Sequence, residues 1–340
     1  MDYFFQNKKV KRCFCSSFSP KLQVLQTICK MKRLLLPLLL LVIAVVLFFY
    51  FRIPAKEVYS YRTAFRCTNN SAIRLLHDST QWKNWWAGTQ QSNTVYSFNN
   101  RNYHFQKMTL PGIETITAVG NDSVAAFFQV FPSNIDSAHF EWSYVFAYSA
   151  NPVTKIKQYL QLRSLKKDFK LFLAAVKPFF ENEKNTYGME IETQRVKDST
   201  LISLKKTFDH YPTTEDVYSL IADVKNYIQT KGGEECNAPM LNIFSVADNR
   251  YDVMVGIPTK KDVEEQEPFK RKKMILGYIL VGDVQGGMAT VAAAEKRMAD
   301  YAFDHQKTAP AIPFQSLITN RMQEKDTSKW ITRIYYPVLY

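Results

Sequence analysis

The longest apolar segment of the chain reads LLLPLLLLVIAVVLFFYF and extends from Leu34 to Phe51 without a charged residue. As an α-helix, its 18 residues would span about 27 Å, close to the thickness of the hydrocarbon core of a bilayer. The segment ends in bulky aromatic residues, whereas a secretory signal peptide ends in small residues before its cleavage site. The pattern therefore predicts an uncleaved, single-pass transmembrane helix over residues 34–52.

Behind this segment, apolar and polar residues alternate with the period of two that is typical of half-buried strands. The run KEVYSYRTAFRC predicts a first strand, and the tryptophan-rich stretch that follows it predicts short helices. Behind Ser164, an N-cap, the period becomes helical and predicts a long helix that Pro178 would kink or end early. Between these helices, turn signals separate six predicted strands: Thr94–Phe98, Tyr103–Leu110, Ile113–Ala118, Val124–Phe131, His139–Tyr148 and Lys155–Arg163.

From residue 199 onward, a pattern of strand, helix, strand and strand occurs twice, about 74 residues apart. The first copy comprises Thr200–Phe208, the helix Thr213–Thr230, Met240–Val246 and Tyr251–Ile257. The second copy comprises Met274–Asp283, the helix Met288–His305, Ile312–Ile318 and Trp330–Val338. Such a duplication predicts an α+β pseudo-dimer. The charged segment Lys260–Lys273 between the copies is predicted to be a solvated loop.

Positive charge is concentrated before the apolar segment, where eight Lys and Arg residues stand against Asp2 alone. That net charge of +7 leaves +6 of the +13 of the whole chain for the remaining residues. The excess predicts that residues 1–33 form a basic cytoplasmic segment, with the body on the periplasmic or extracellular side of the cell membrane. The body has no stripe of basic and aromatic residues that would indicate nucleic-acid binding.

The residues capable of chemistry are scattered along the sequence. None of the five histidines has the spacing of a metal site, and Cys67 and Cys236 in the body give no disulfide framework. There is no nucleophile motif and no glycine-rich phosphate loop. Asp283 and Glu295 could form an acid–base pair, but solvated charges at the ends of elements are far more common. We therefore predict no catalytic residue, no metal site and no cofactor.

The opening of the body, with Asp78, Trp82 and Trp85 behind the strand KEVYSYRTAFRC, resembles the START-like (SRPBCC, helix-grip) family. The resemblance covers residues 55–195. It implies a curved sheet that wraps the long helix and leaves an apolar cavity between the two. It also implies three helical residues as candidate ligand contacts: Phe169, Phe172 and Val176. The alternative is that these side chains fill the core.

The duplicated region, residues 199–340, resembles the GyrI-like family, the effector-binding domain of bacterial transcription activators. The resemblance rests on Val255-Gly256-Ile257-Pro258, Gly286-Gly287-Met288-Ala289, Ile312 to Leu317 and Trp330 to Pro337. It implies a groove between the two copies that binds bulky, often cationic or aromatic compounds. Gln315 stands where the family has a buried glutamate, so the charge that would pair a cation or act as a base is absent. Further groove candidates are Phe244, Tyr251, Tyr278 and Trp330.

Two domains with pockets and no catalytic constellation favour a membrane-anchored, non-enzymatic protein that binds or senses a small hydrophobic or aromatic ligand, or a protein partner. A hydrolase of reactive small molecules in the GyrI-like domain is the first alternative, and it rests on resemblance alone. An effector-responsive regulator is the second, although the chain has no helix-turn-helix motif.

Overall fold

The structure is a computed structural model that describes residues 37–197 and 199–339. Its first element, helix α1, covers residues 37–52. The predicted basic segment 1–33 and the first three residues of the predicted transmembrane segment lie outside the described residues. Among the helices of the described ranges, none is both long enough and apolar enough to cross a membrane.

Behind α1, the chain folds into two sheets with antiparallel ladders and several helices, which confirms the predicted α+β class. Residues 56–147 supply the seven strands of the first sheet, and residues 192–338 supply the eight strands of the second. The described chain divides into two compact units. One contains the residues up to 57 together with 146–163, and the other contains 58–145 and the residues from 164 onward.

The first sheet is a meander in the spatial order β1-β7-β6-β5-β4-β3-β2. Its strands are β1 (Lys56–Phe65), β2 (Thr89–Gln90), β3 (Val95–Phe98), β4 (Arg101–Thr109), β5 (Gly112–Val119), β6 (Asp122–Asn134) and β7 (Ser137–Ala147). Two short helices, α2 (Asn69–His77) and α3 (Trp82–Trp85), lie between β1 and β2. Strands β3 to β7 occur where alternation predicts them, because each has one buried and one more exposed face.

One long helix, α4 (Pro152–Phe180), follows β7, so the predicted strand at Lys155–Arg163 is wrong. The residue that caps the start of the helix is Asn151 rather than Ser164. Its Oδ1 accepts a hydrogen bond from the backbone N–H of Val153 at 3.0 Å. The proline at the first helical position needs no such partner because it has no N–H. The helix continues to Phe180, which places Pro178 in its last turn.

The first turns of α4 carry polar residues at buried positions, so the pattern of apolar residues does not indicate a helix there. Lys155 and Gln158 are buried and lie at helical spacing on the same side as Leu165. The Gln158 side chain accepts a hydrogen bond from Ser149 N at 2.9 Å, and Lys155 Nζ donates one to Tyr50 O at 3.1 Å. These tertiary hydrogen bonds allow polar side chains to occupy core positions.

Aromatic side chains fill the space between the first sheet and the second half of α4. Phe169 stacks on Trp142 with ring centroids 4.3 Å apart, and Phe172 lies 4.4 Å from Trp86. Phe169, Phe172 and Val176 are all fully buried. Ring pairs at these distances are typical of packed aromatic cores. A ligand-binding role for these three residues stays a prediction.

The second sheet has the order β12-β9-β11-β10-β14-β15-β13-β8. Its strands are β8 (Glu192–Arg195), β9 (Thr200–Phe208), β10 (Met240–Ala247), β11 (Arg250–Thr259), β12 (Lys270–Lys273), β13 (Tyr278–Gln285), β14 (Phe314–Leu317) and β15 (Ile331–Val338). The helices are α5 (Glu183–Tyr187) before β8, α6 (Thr214–Thr230) in the first copy and α7 (Met288–Asp304) in the second.

The two copies of the duplicated pattern meet at β10 and β14, where Met240 pairs with Ser316 and Leu241 pairs with Gln315. On either side of this seam the order is mirrored: β11 and β9 follow β10, and β15 and β13 follow β14. An additional strand extends each outer edge, β12 beside β9 and β8 beside β13. The predicted pseudo-dimer of strand, helix, strand and strand is therefore present in the sheet order.

The predicted solvated loop at Lys260–Lys273 is wrong at its end, because Lys270–Lys273 forms β12 and pairs with β9. All four β12 residues are basic and exposed, as is common for strands that protect a sheet edge. Because these four residues are all charged, they lack the alternation of apolar and polar residues from which a strand is predicted. The strand predicted from Met274 starts only at Tyr278.

Helix α6 matches the predicted helix Thr213–Thr230 to within one residue, because its signals are local. Thr213 and Asp216 form a capping box, in which each side chain accepts a hydrogen bond from the backbone N–H of the other. The helix ends before Gly232, whose φ of +68° suits a glycine. The buried face consists of the predicted residues Val217, Leu220, Ile221, Val224 and Ile228.

Candidate ligand-binding site

Alternate residues of the second sheet face opposite sides. On β11, Val253 and Val255 belong to the core under α6, whereas Met254 and Gly256 face the other side. On β9, Ile202 likewise belongs to that core. The sheet therefore has one face covered by helices and a second face on the opposite side, which we call the open face.

A cavity of about 220 Å³ lies on the open face, across the seam between the two copies. Strand side chains form its floor, and the segments before β13 and β14 form its rim. Ile275 and Ile312 on this rim are more than half exposed, which is unusual for two large aliphatic side chains close together. The main apolar lining residues are Leu201, Met240, Met254, Met274, Ile275, Ile279, Ile312 and Phe314.

Gly256 contributes to the space in this cavity. A Cβ atom at this position would lie 2.6 Å from Cδ1 of Leu201, another lining residue. Any side chain at position 256 would therefore force Leu201 to move or would occupy the cavity. Three of the lining residues are methionines, whose flexible side chains adapt to ligands of different shape.

Lys272 brings a positive charge to the cavity. It pairs in register with Leu201 and so projects from the same face of the sheet. Its Nζ lies 3.1 Å from Sδ of Met254, which is a weak hydrogen-bond acceptor. Among the described residues that line the cavity, none is acidic.

A second, polar cleft lies on the helix-covered face of the same seam, between α6 and α7. Gln315 is buried there, and its Nε2 donates a hydrogen bond to Oε1 of Glu295 on α7 at 3.0 Å. Burial raises the pKa of Glu295, and the hydrogen bond from Gln315 opposes that shift. The cleft has a volume of about 20 Å³, enough for one water molecule.

Arg321 lies at the same polar cleft and is buried. Its Nη2 donates a hydrogen bond to Oγ1 of Thr332 at 2.8 Å, and its guanidinium lies 4.9 Å from the ring centroid of Trp330. Its Nε has no hydrogen-bond partner within the described structure. Burial lowers the pKa of Arg321, since it disfavours the charged form.

The structure brings some of the predicted site residues together and separates others. Gln315 lines the polar cleft, and Trp330 supports Arg321 beside it. The ring of Tyr251 makes an edge contact with the ring of Tyr211, which lines this cleft, with 5.3 Å between the ring centroids. Phe244 and Tyr278 lie on separate strands and are both exposed. Their roles in ligand binding stay predictions.

The suggested pairing of Asp283 with Glu295 is not assembled. Both carboxylate oxygens of Asp283 accept hydrogen bonds from Arg333, at 2.7 and 2.8 Å, so this residue belongs to an ion pair on the sheet. Glu295 instead contacts Gln315. The sequence predicts a solvated charge at Glu295, but this residue lies next to the buried Ala294 on α7, near the interface between the helix and the sheet.

Within residues 37–197 and 199–339, no group of three His, Cys, Asp or Glu side chains is placed to hold a metal ion. Cys67 and Cys236 are both free thiols. Burial, with a smaller contribution from Glu181, raises the pKa of Cys67 to about 12. A thiol with this pKa is almost entirely protonated at neutral pH and is a poor nucleophile.

The sequence does not predict the apolar cavity, because the cavity depends on the order of the strands in the sheet. Its lining comes from strands of both copies and from the segment around Met274, which the sequence places in or next to a loop. One signal existed: Leu201 and Met240 alternate with the core residues Ile202 and Leu241, so β9 and β10 are apolar on both faces. A strand with two apolar faces indicates that something covers both of them.

No protein family and no curated protein matches this sequence. Among solved structures, the EcmrR C-terminal domain is similar, with 12% identity over 44% of this chain and 98% of that chain and a TM-score of 0.39. SAV2435 bound to tetraphenylphosphonium has 16% identity over 44% and 94% of the two chains and a TM-score of 0.31. A hydrolase from Listeria innocua has 12% identity over 44% and 92%, with a TM-score of 0.34.

Proposed function

We propose that this protein is a membrane-anchored, non-enzymatic binder of small hydrophobic molecules, and that the ligand occupies the cavity on the open face of the second sheet. The observation that carries the proposal is the cavity itself. It measures about 220 Å³, its lining is mostly apolar, and it lies opposite the helices that complete the core. Apolar concave sites with few polar groups are the usual form of ligand pockets.

The energetics of such a site favour an aliphatic ligand. Each methylene group that moves from water into apolar surroundings contributes about 0.8 kcal/mol. A chain of six methylenes would therefore contribute about 5 kcal/mol, against which the loss of ligand freedom has to be set. Methionines at positions 240, 254 and 274 can adjust to such a chain without a change in the backbone.

Methyl NMR of the methionines tests the proposal within the cavity. The full chain, with 13C-labelled methionine methyl groups, is placed in phosphatidylcholine nanodiscs and titrated with decanol. We expect the signals of Met240, Met254 and Met274 to shift and saturate, while Met298 in the core beneath α7 stays unchanged. Absence of a saturable shift at all three cavity methionines would refute the proposal.

Two variants of the second sheet sharpen this experiment. Gly256→Val places a side chain against Leu201 inside the cavity and should abolish the decanol response. Ser245→Val adds the same side chain at an exposed position of β10 and should leave the response intact. Equal binding by the two variants would show that decanol binds elsewhere.

The polar cleft favours a second candidate function, the hydrolase. Glu295 supplies a carboxylate beside Gln315, its pKa is raised by burial, and the cleft has room for one water molecule. A carboxylate with a raised pKa can act as general base toward a water molecule. Turnover of p-nitrophenyl acetate should then fall at least tenfold in Glu295→Gln and in Gln315→Ala. Unchanged turnover in both would exclude this cleft as a catalytic site.

Helix α1 supports the proposed membrane anchor. Its large apolar side chains are exposed, with Leu40 at 58% and Phe48 at 64%. An exposed apolar surface of this kind needs a hydrophobic environment. The positive-inside pattern of residues 1–33 supports a cytoplasmic N-terminus and a body on the outer side.

Membrane extraction and a topology reporter test the anchor. We expect the full chain to stay in the membrane pellet at alkaline pH, and Leu40→Arg with Ile43→Arg to release it. A periplasmic reporter fused behind Tyr340 should be active in the wild type. Release of the wild-type chain at alkaline pH, or activity of a cytoplasmic reporter only, would refute this part of the proposal.

A further inference from the structure

We infer that the ligand of the open-face cavity is a single-chain amphipathic anion, an alkyl carboxylate whose chain lies among the methionines and whose head group pairs with Lys272. The inference rests on the proposed function and adds the chemical class of the ligand. It follows from the distribution of charge around the cavity.

The four basic residues of β12 differ in their partners. Lys270 Nζ forms an ion pair with Glu267 at 2.5 Å, and Arg271 pairs with Asp262 at 3.4 Å. Lys272 and Lys273, which both line the cavity, have no carboxylate within ion-pair distance among the described residues. The protein therefore leaves the two charges at the cavity without an acidic partner, and Lys272 is the one of the two that lies opposite the lining residue Leu201 in the strand register.

The contact between Lys272 and the thioether of Met254 indicates that a stronger hydrogen-bond acceptor could take its place. A thioether is a weak acceptor for an ammonium group, whereas a carboxylate forms a charge-assisted hydrogen bond that is roughly twice as strong as a neutral one. Met254, the residue that provides this thioether, itself lines the cavity. A carboxylate at the cavity mouth would thus reach Lys272 while its alkyl chain contacts Met254.

The same charge pattern argues against the other head groups. A lipophilic cation would meet Lys272 and, among the described lining residues, would find no acidic side chain. A neutral alcohol would bury the same chain and could accept a hydrogen bond from the ammonium group, but it has no negative charge to form an ion pair with it. We therefore expect carboxylate, alcohol and quaternary ammonium to bind in that order of decreasing affinity.

The test is a head-group series at constant chain length. The full chain in phosphatidylcholine nanodiscs is titrated at pH 8 with decanoate, decanol and decyltrimethylammonium, with the methyl signals of Met254 and Met274 as the readout. Empty nanodiscs provide the correction for partition of each compound into lipid. We expect decanoate to bind about fivefold more tightly than decanol, in line with the upper range of a solvent-accessible ion pair.

Matched lysine variants assign this preference to one side chain. Lys272→Gln should bind decanoate and decanol with equal affinity, because the amide side chain has no charge. Lys270→Gln, two residues away on the same face and already paired with Glu267, should keep the preference. From hexanoate to octanoate to decanoate, affinity should rise about fourfold per methylene until the chain exceeds the cavity.

The outcomes separate this inference from the proposed function. If decanol and decanoate bind equally well to the wild type, or if the quaternary ammonium binds most tightly, the cavity is a ligand site but the anion assignment is wrong. If none of the three compounds shifts the methionine signals, both the proposed function and the anion assignment are wrong. If phosphatidylglycerol nanodiscs alone produce the shift, the ligand is a bilayer lipid, and the assignment to a free single-chain carboxylate is overturned.

Discussion

Gln315 on β14 and Glu295 on α7 share a hydrogen bond of 3.0 Å, from Nε2 of the amide to Oε1 of the carboxylate. Helix α7 thus places a carboxylate directly beside the amide of Gln315. Gln315 in turn pairs with Leu241 of the other copy, so this contact lies at the seam of the duplicated domain. The neighbouring residue, Phe314, faces the opposite side and lines the apolar cavity.

Glu295→Gln should change how stability depends on pH. Burial raises the pKa of Glu295 above its ordinary value of 4.5, so the folded state holds this proton more tightly than the unfolded state does. The wild type therefore loses stability relative to the variant as pH rises from 4.5 through the raised pKa, and the difference levels off above it. Urea unfolding at a series of pH values measures this. A difference that is independent of pH would contradict the account.

Asp304→Ala should destabilise the fold by about 3 kcal/mol, because its side chain is fully buried and two donors depend on it. Asp304 accepts hydrogen bonds from Tyr187 Oη at 2.8 Å and from Arg74 Nη2 at 2.5 Å. The control is Asp300→Ala, which removes a partly exposed carboxylate 4.0 Å from the same arginine and should cost less than about 1 kcal/mol. Chemical denaturation gives both values, and equal losses would show that the buried contacts are not the cause.

Thr213→Ala should destabilise the protein by about 1 kcal/mol through loss of the capping box at the start of α6. The Thr213 hydroxyl accepts a hydrogen bond from the backbone N–H of Asp216 at 3.1 Å, and alanine leaves that donor without this partner. Ser219→Ala, at an exposed interior position of the same helix, should be neutral or slightly stabilising. If both variants melt at the same temperature, the cap makes no contribution.

Arg321→Met should leave stability within about 1 kcal/mol of the wild type, because an apolar side chain of similar length replaces a buried guanidinium whose Nε has no partner. The same variant should abolish any turnover or ligand response that depends on the polar cleft, while the decanol response of the open-face cavity persists. Urea unfolding and the methionine NMR titration provide the two readouts. A loss of several kcal/mol would show that the contacts with Thr332 and Trp330 outweigh the burial of charge.

The elements whose signals are local could be predicted from sequence. Helix α6 is the clearest example: its cap at Thr213, its apolar face and its end before Gly232 all depend on residues within one element. The first half of α4 was missed because Lys155 and Gln158 are buried through hydrogen bonds to distant residues, which no local pattern contains.

The candidate site was predicted less well than the fold for a related reason. The sequence offers Gln315 as a candidate site residue, but its contact with Glu295 depends on where α7 lies on the folded sheet. The apolar cavity requires β9, β10, β11 and β14 to lie side by side with one set of alternate residues on a common face. That order is a property of the folded sheet, which the sequence of each strand does not contain.

Native mass spectrometry of the protein purified from its own membrane tests the central claim most directly. The wild type should carry an additional mass of a small hydrophobic molecule that dissociates on collisional activation, and Ser245→Val should carry the same mass. Gly256→Val, with its side chain inside the cavity, should appear without it. A wild-type protein that appears only at its bare mass, or a bound molecule that Gly256→Val retains, would contradict ligand binding at the open face.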